Sequence, residues 1–300
     1  MHALFIVFEQ LANTKMKSNR NGRALEYLLV EKFTQFYCSP MLSAQTEHDQ
    51  CRDRDHYHSL PIEMQRYYSQ HCETFVQWVK AHRVADEGSV EIIRISDHDA
   101  VKGDVTDIRL VTATEQYNLS LKHNNNAVKH QRPGNLFAQL GIANKAEEKR
   151  YRAEITVISN QFFARASQYK TDLFNVVKSH DESIILSFYD AMCQLVVDTI
   201  NSQPVSAEES FDFLVGNCNF DKVIISRDYI EVLPFSDIIK PTLLTAKQTS
   251  HNHIQLDFDN GFSFDMRLHT ASSRFSVGKT INQKFDTRLI SDSVERFFLS

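Results

Sequence analysis

Apolar and polar positions alternate along this chain in three regimes. After Asn21-Gly22, Leu25, Leu28, Leu29, Lys32, Phe33 and Phe36 recur at helical spacing, which predicts an amphipathic helix. Glu26 lies beside that stripe, on a face continued by Val30 and Phe33. A polar, histidine-rich run over 45–60 follows, and then a second helical pattern over 62–83 around Tyr68, Cys72, Phe75 and Val79. The period then shortens. Val90 to Ile95 reads as a strand, Lys102-Gly103-Asp104 as a turn, and Val105–Val111 and Tyr117–His123 alternate with period two. The last two, joined through Thr112–Gln116, predict a hairpin. The polar basic run 124–135 is expected to be a loop. Residues 144–202 are mostly helical in pattern. Residues 205–300 are mixed, with strands expected at 222–226, 229–233 and 253–258. Asp259-Asn260-Gly261 leads into Phe262–Leu268 as a second hairpin, because Asn-Gly between alternating runs suits a tight turn.

These elements describe an α/β protein with a mixed central sheet flanked by helices. The expected organisation is an N-terminal extension over 1–15, a helical and catalytic region over 16–203, and a mixed α/β C-terminal region over 204–300 that contacts DNA. Residues 203–210 are the boundary candidate.

At 300 residues, with 42% hydrophobic and 24% charged positions, the chain can bury a full core. No apolar run reaches the ~20 residues that span a bilayer, so no membrane is expected. Only 8 glycines occur, and no glycine-rich phosphate loop is present. A net charge of −5 excludes a uniformly basic coat but allows local basic sites. Five widely spaced cysteines without a CxxC pair read as reduced thiols, which suits a cytoplasmic protein. The run Ala3–Phe8 is too short for a signal-peptide core.

The candidate chemistry lies in the first hairpin. Asp107 and Lys122 stand on neighbouring strands, so pairing can bring an acid and an amine together. A carboxylate of this kind holds a hard divalent cation, and a nearby lysine orients water and offsets charge on a reacting phosphate. Asp104 competes with Asp107 for the acidic role. Two stretches without acids follow. From Lys122 to Pro133 the chain carries Lys122, Lys129 and Arg132 with His123 and His130. From Met266 to Phe285 it carries Arg267, Arg274, Lys279 and Lys284, with His269, Ser272 and Ser273 as neutral donors. Both suit phosphates and base edges.

The pattern Asp107…Ser120-Leu121-Lys122 resembles the PD-(D/E)XK nuclease superfamily, with Ser120 where the second carboxylate is expected. The longer run from Gly103-Asp104-Val105-Thr106-Asp107 through Leu119–Lys122 to Pro133 resembles the HaeIII family of type II restriction endonucleases. Phe213–Lys222 and Phe262–Phe275 resemble the same family. The resemblance implies a nuclease-like core and magnesium-dependent cutting of double-stranded DNA at GGCC within a restriction-modification system, with a homodimer possible. It assigns Asp107 as metal ligand, Lys122 as the water-orienting residue and Glu26 as the borrowed carboxylate and second metal ligand, with Asp104 as a further catalytic candidate. Asn126, Lys129, His130, Arg132, Arg267, His269, Ser272 and Ser273 are the DNA-contact candidates.

Other readings compete. His48, Cys51, His56 and His58, with His71-Cys72 nearby, could hold zinc, although their spacing matches no standard module. His123, Asn126 and His130 could form a His-Asn-His nuclease site. A DNA-binding protein without metal chemistry would keep the basic stretches and explain Ser120.

Overall fold

The computed structural model describes residues 20–85, 88–95, 105–124 and 127–299. The expected extension over 1–15, the turn 102–104 with Asp104, and Asn126 lie outside them. The chain forms two compact units, each discontinuous in sequence. One comprises 1–125, 217–238 and 294–300, and the other 126–216 and 239–293.

The first unit is built on a seven-stranded mixed sheet. Its strands are β1 (Ser39–Leu42), β2 (Ser89–Arg94), β3 (Ile108–Val111), β4 (Gln116–His123), β6 (Phe220–Ile225), β7 (Ile230–Phe235) and β12 (Phe297–Leu299), in that spatial order. β1 pairs with β2 in parallel, and β4 with β6, while the other pairs are antiparallel. Helices α1 (20–36), α2 (Ala44–His58) and α3 (Ile62–His82) accompany it. The stripes read from sequence on α1 and α3 are the buried ones. Leu25, Leu29, Phe33, Tyr68, Phe75 and Val79 join Val90, Ile92, Ile108, Leu110, Leu119 and Leu121 in one core.

The polar run 45–60 is a helix after all, started by Ser43, whose Oγ accepts from the Thr46 amide. Its inward residues are Thr46, Asp49, Gln50 and Asp53. Hydrophobic periodicity cannot reveal a helix whose buried face is polar.

The second unit carries a five-stranded antiparallel sheet in the order β5 (Ala127–Gln131), β11 (Gln283–Leu289), β10 (Ser263–Thr270), β9 (His253–Phe258), β8 (Leu244–Ser250). Its helices are α4 (Leu136–Gln139), α5 (Lys145–Ala166), α6 (Phe174–His180), α7 (Glu182–Ser202) and α8 (Ala207–Val215). The Asn-Gly hairpin forms as expected. Gly261 has φ +88°, and Phe258 N donates to Phe262 O at 2.9 Å, a conformation that favours glycine.

Two expectations are corrected. The run 124–135 is not all loop, because Ala127–Gln131 pairs with β11 and satisfies that strand's backbone. The boundary does not fall at 203–210, because Ser206 caps α8 within the second unit. One described helix, α7, is long and apolar enough by composition to cross a membrane. About half of it is buried within the protein, as in the core helix of a globular unit.

Phe211 of α8 meets Phe262 and Phe258 edge-on, with ring centroids 5.0 and 5.3 Å away. Phe211→Ala removes these contacts from a fully packed site and is expected to cost about 3–5 kcal/mol. Urea unfolding followed by tryptophan-independent far-UV dichroism checks it, and a loss below about 1 kcal/mol would contradict this packing.

Candidate active site

β3 begins one residue after Asp107, and the carboxylate continues the ladder that the backbone has just opened. Asp107 N donates to Leu119 O at 2.7 Å, and Ile95 N donates to Asp107 O at 3.0 Å. The side chain then turns back to β4, where its Oδ2 accepts from Leu121 N at 2.6 Å. Ser120 Oγ at 3.3 Å and Lys122 Nζ at 3.2 Å donate to the same oxygen. Ser120 therefore supplies a donor to the Asp107 carboxylate. An acid in its place would set two negative charges against each other.

Glu26 stands on α1. Burial, followed by the negative charge of Asp107, pushes the Glu26 carboxyl up to about 7, against the opposing pull of Arg94 and Lys122. Glu26 thus feels the charges of both Asp107 and Lys122. Two residues unread in the sequence fix it. Arg94 at the end of β2 has only 3% of its side chain exposed. Its Nη2 donates to Glu26 Oε2 at 2.6 Å and to Asp53 Oδ2 at 2.8 Å, and its Nη1 donates to Gln50 Oε1 at 3.3 Å. Asp53 is wholly buried and is also held by Arg52 through two hydrogen bonds of 2.8 and 2.7 Å. Burial opposes this ionisation, but Arg52 and Arg94 keep the Asp53 carboxyl below its ordinary range.

Lys222, also unread in the sequence, pairs with Ser120 in the β4–β6 register. Burial, then the charge of Lys122, pulls its amine down to about 7, while Glu231 opposes the fall. Both strands could have revealed their odd member. Val90 and Ile92 share the inward parity of Arg94, and Lys222 opens an otherwise apolar run.

The described residues contain no group of three or more His, Cys, Asp or Glu side chains arranged for a metal. The donors present are two hard carboxylates. Each gives one oxygen to protein donors, Oε2 of Glu26 and Oδ2 of Asp107. A donor set of hard carboxylate oxygens fits a divalent cation, and Mg2+ is commonly held by only one or two carboxylates.

The zinc constellation does not assemble among the described residues, and Asn126 of the His-Asn-His candidate lies outside them. Cys72 is buried in the core, where desolvation raises its thiol, and His71 Nε2 meets Arg227 O at 3.0 Å. His123 Nε2 lies 2.9 Å from Tyr67 Oη, and burial lowers its pKa.

The DNA-contact candidates belong to the second unit. Lys129 and His130 pair through β5 with Thr287 and Asp286. Ser272 Oγ accepts from Arg274 N at 3.1 Å, and Ser273 O accepts from Phe174 N at 3.2 Å. The second basic stretch is not free of acid in space. Asp286, one residue past its end, lies 3.2 Å from Arg267 and 2.9 Å from His269, and 3.6 Å from Lys284. Arg274 pairs with Asp172 at 2.6 Å. The β10–β11 register sets Arg267 opposite Asp286, a cross-strand pairing that a linear count of charges misses.

The first unit sets the Asp107 carboxylate and the Lys122 ammonium side by side at the β3–β4 pair. Comparison with family models supplies the class. Residues 22–235 match the HaeIII restriction endonuclease model, and the chain belongs to that family of type II restriction enzymes. It is thus a nuclease whose partner is DNA. Neither the curated proteins nor the solved structures give a match.

Burial would raise the Asp286 carboxyl, but His269, Lys284 and Arg267 carry it down to about 2. Its folded value lies below the ordinary unfolded one of about 3.8. Its stabilisation is therefore present above pH 3.8 and is lost as pH falls through about 2. Asp286→Asn is expected to flatten the acid limb of thermal stability between pH 4 and 2, as read by calorimetry. An unchanged acid limb would contradict the pairing.

Proposed function

We propose that the chain is a magnesium-dependent endonuclease cutting double-stranded DNA at GGCC. The observation that carries this reading is Asp107 Oδ2 gathering Leu121 N, Ser120 Oγ and Lys122 Nζ, with Glu26 coupled to the same site. The target GGCC comes from the family. A palindromic site suits a homodimer whose two-fold axis matches that of the DNA.

Glu26 and Asp107 would hold the divalent cation, which when bound supplies Lewis acidity at the scissile phosphoryl group. Asp107 also fixes Lys122, so that its ammonium stands beside the carboxylate rather than in solvent. Lys122 orients the attacking water and offsets charge gathering on the phosphate in the transition state. Arg94 positions Glu26 through Oε2, and Asp53 and Gln50 keep Arg94 in place. Ser120 steadies Asp107 and contributes no charge. Arg132, Lys129, His130 and Asn126 are assigned to the DNA, together with Arg267, His269, Ser272 and Ser273. Arg267 and His269 would exchange Asp286 for phosphate.

The test is digestion of sequenced DNA with magnesium and mapping of the ends. Cuts confined to GGCC are expected. Lys122→Ala should lower the rate about 10²-fold or more, with binding in calcium almost unchanged, because one phosphate contact among many is lost. Binding without cutting by the parent protein would favour a non-catalytic DNA-binding role, for which Ser120 is the supporting residue. Near-normal cutting by Lys122→Ala would overturn the active-site assignment.

A further inference from the structure

The second unit contains a cavity of about 620 Å³ between α5, α7, the segment after β5 and the entry to β11. Its composition divides by side. Pro133, Ile155 and Met192 present apolar surface, whereas Arg132, Arg152 and Gln283 bring polar groups. Gln283 is 5% exposed, yet neither its Nε2 nor its Oε1 has a hydrogen-bond partner. A buried amide left without partners costs on the order of 1–3 kcal/mol for each such group.

The cavity wall is fixed before any ligand arrives. Tyr151 Oη donates to Pro133 O at 2.9 Å, which holds the segment carrying Arg132. Arg152 is steadied by two hydrogen bonds to Glu148 Oε1, at 3.0 and 2.8 Å. It retains further donors, since a guanidinium carries five.

We propose that this cavity binds one nucleotide. An amide presents a donor and an acceptor side by side, and each nucleobase edge offers the complementary pair. Apolar surface from Pro133, Ile155 and Met192 suits the face of a base. Arg132 and Arg152 suit its phosphate. The volume lies within the range of small-molecule sites. The nucleotide comes from one of two sources, a base turned out of bound DNA or a free nucleoside monophosphate. Only the first source rests on the nuclease reading.

Two arms separate the sources. In calcium, duplexes carrying 2-aminopurine at single positions in and beside GGCC report unstacking by fluorescence. In parallel, the four nucleoside monophosphates are titrated by calorimetry. One arm is expected to respond, and Gln283→Met is expected to weaken that response about tenfold or more. Because Gln283→Met removes an unpartnered amide at similar volume, its melting temperature should stay level or rise. A melting temperature lowered by several degrees would make Gln283 a structural residue and overturn the proposal. Arg132→Ala, at an exposed position, is the second variant and should weaken the same arm. No response in either arm, or equal responses in parent and variants, overturns the proposal. Plasmid cutting by the parent is measured separately, so a nucleotide response without cutting would sink the nuclease reading alone.

Discussion

Arg94 carries a full charge in a place where water barely reaches it, and it can do so only because carboxylates and an amide surround its guanidinium. Glu26 comes from α1, Gln50 and Asp53 from α2, and Arg94 itself from β2. One buried cation thereby joins two helices to the sheet. Removing it would strand Asp53 with Arg52 and leave Glu26 facing Asp107 with less compensation. Breaking such a buried network typically costs about 3–5 kcal/mol. The placement of Glu26 and the architecture of the first unit therefore depend on the same side chain.

The site's second constraint is the pairing of Asp107 just ahead of β3, where its backbone already bonds Leu119 O and Ile95 N. Its carboxylate accepts from the Leu121 amide and is held beside Lys122. Backbone pairing places Lys122 and Ser120 on one face of β4, because side chains alternate along a strand. The neutral hydroxyl at Ser120 lets Asp107 and Lys122 pair closely while Glu26 supplies the other negative charge from outside the sheet.

Much of this was legible in the sequence, for definable reasons. The α1 and α3 stripes, the 108–123 hairpin and the Asn-Gly hairpin announce themselves by apolar period and turn residues. Asp107, Lys122 and Glu26 were readable because strand pairing and helix phase put them near one another. The polar inner face of α2 was not, because burial there is stabilised by charge pairing that no apolar period reports. Arg94 could have been suspected from its inward parity after Val90 and Ile92. β5 was hidden by its polar composition, since its place is set by the free edge of β11. The neutralising role of Asp286 needed the β10–β11 register, which linear spacing does not supply.

The central claim is that Glu26 and Asp107 serve one cation. A double-mutant cycle on manganese affinity, read by electron paramagnetic resonance of the free ion, tests it directly. Glu26→Gln and Asp107→Asn should each weaken binding, and the double variant should bind little worse than the weaker single one. Additive losses, or an affinity untouched by Glu26→Gln, would contradict a shared site.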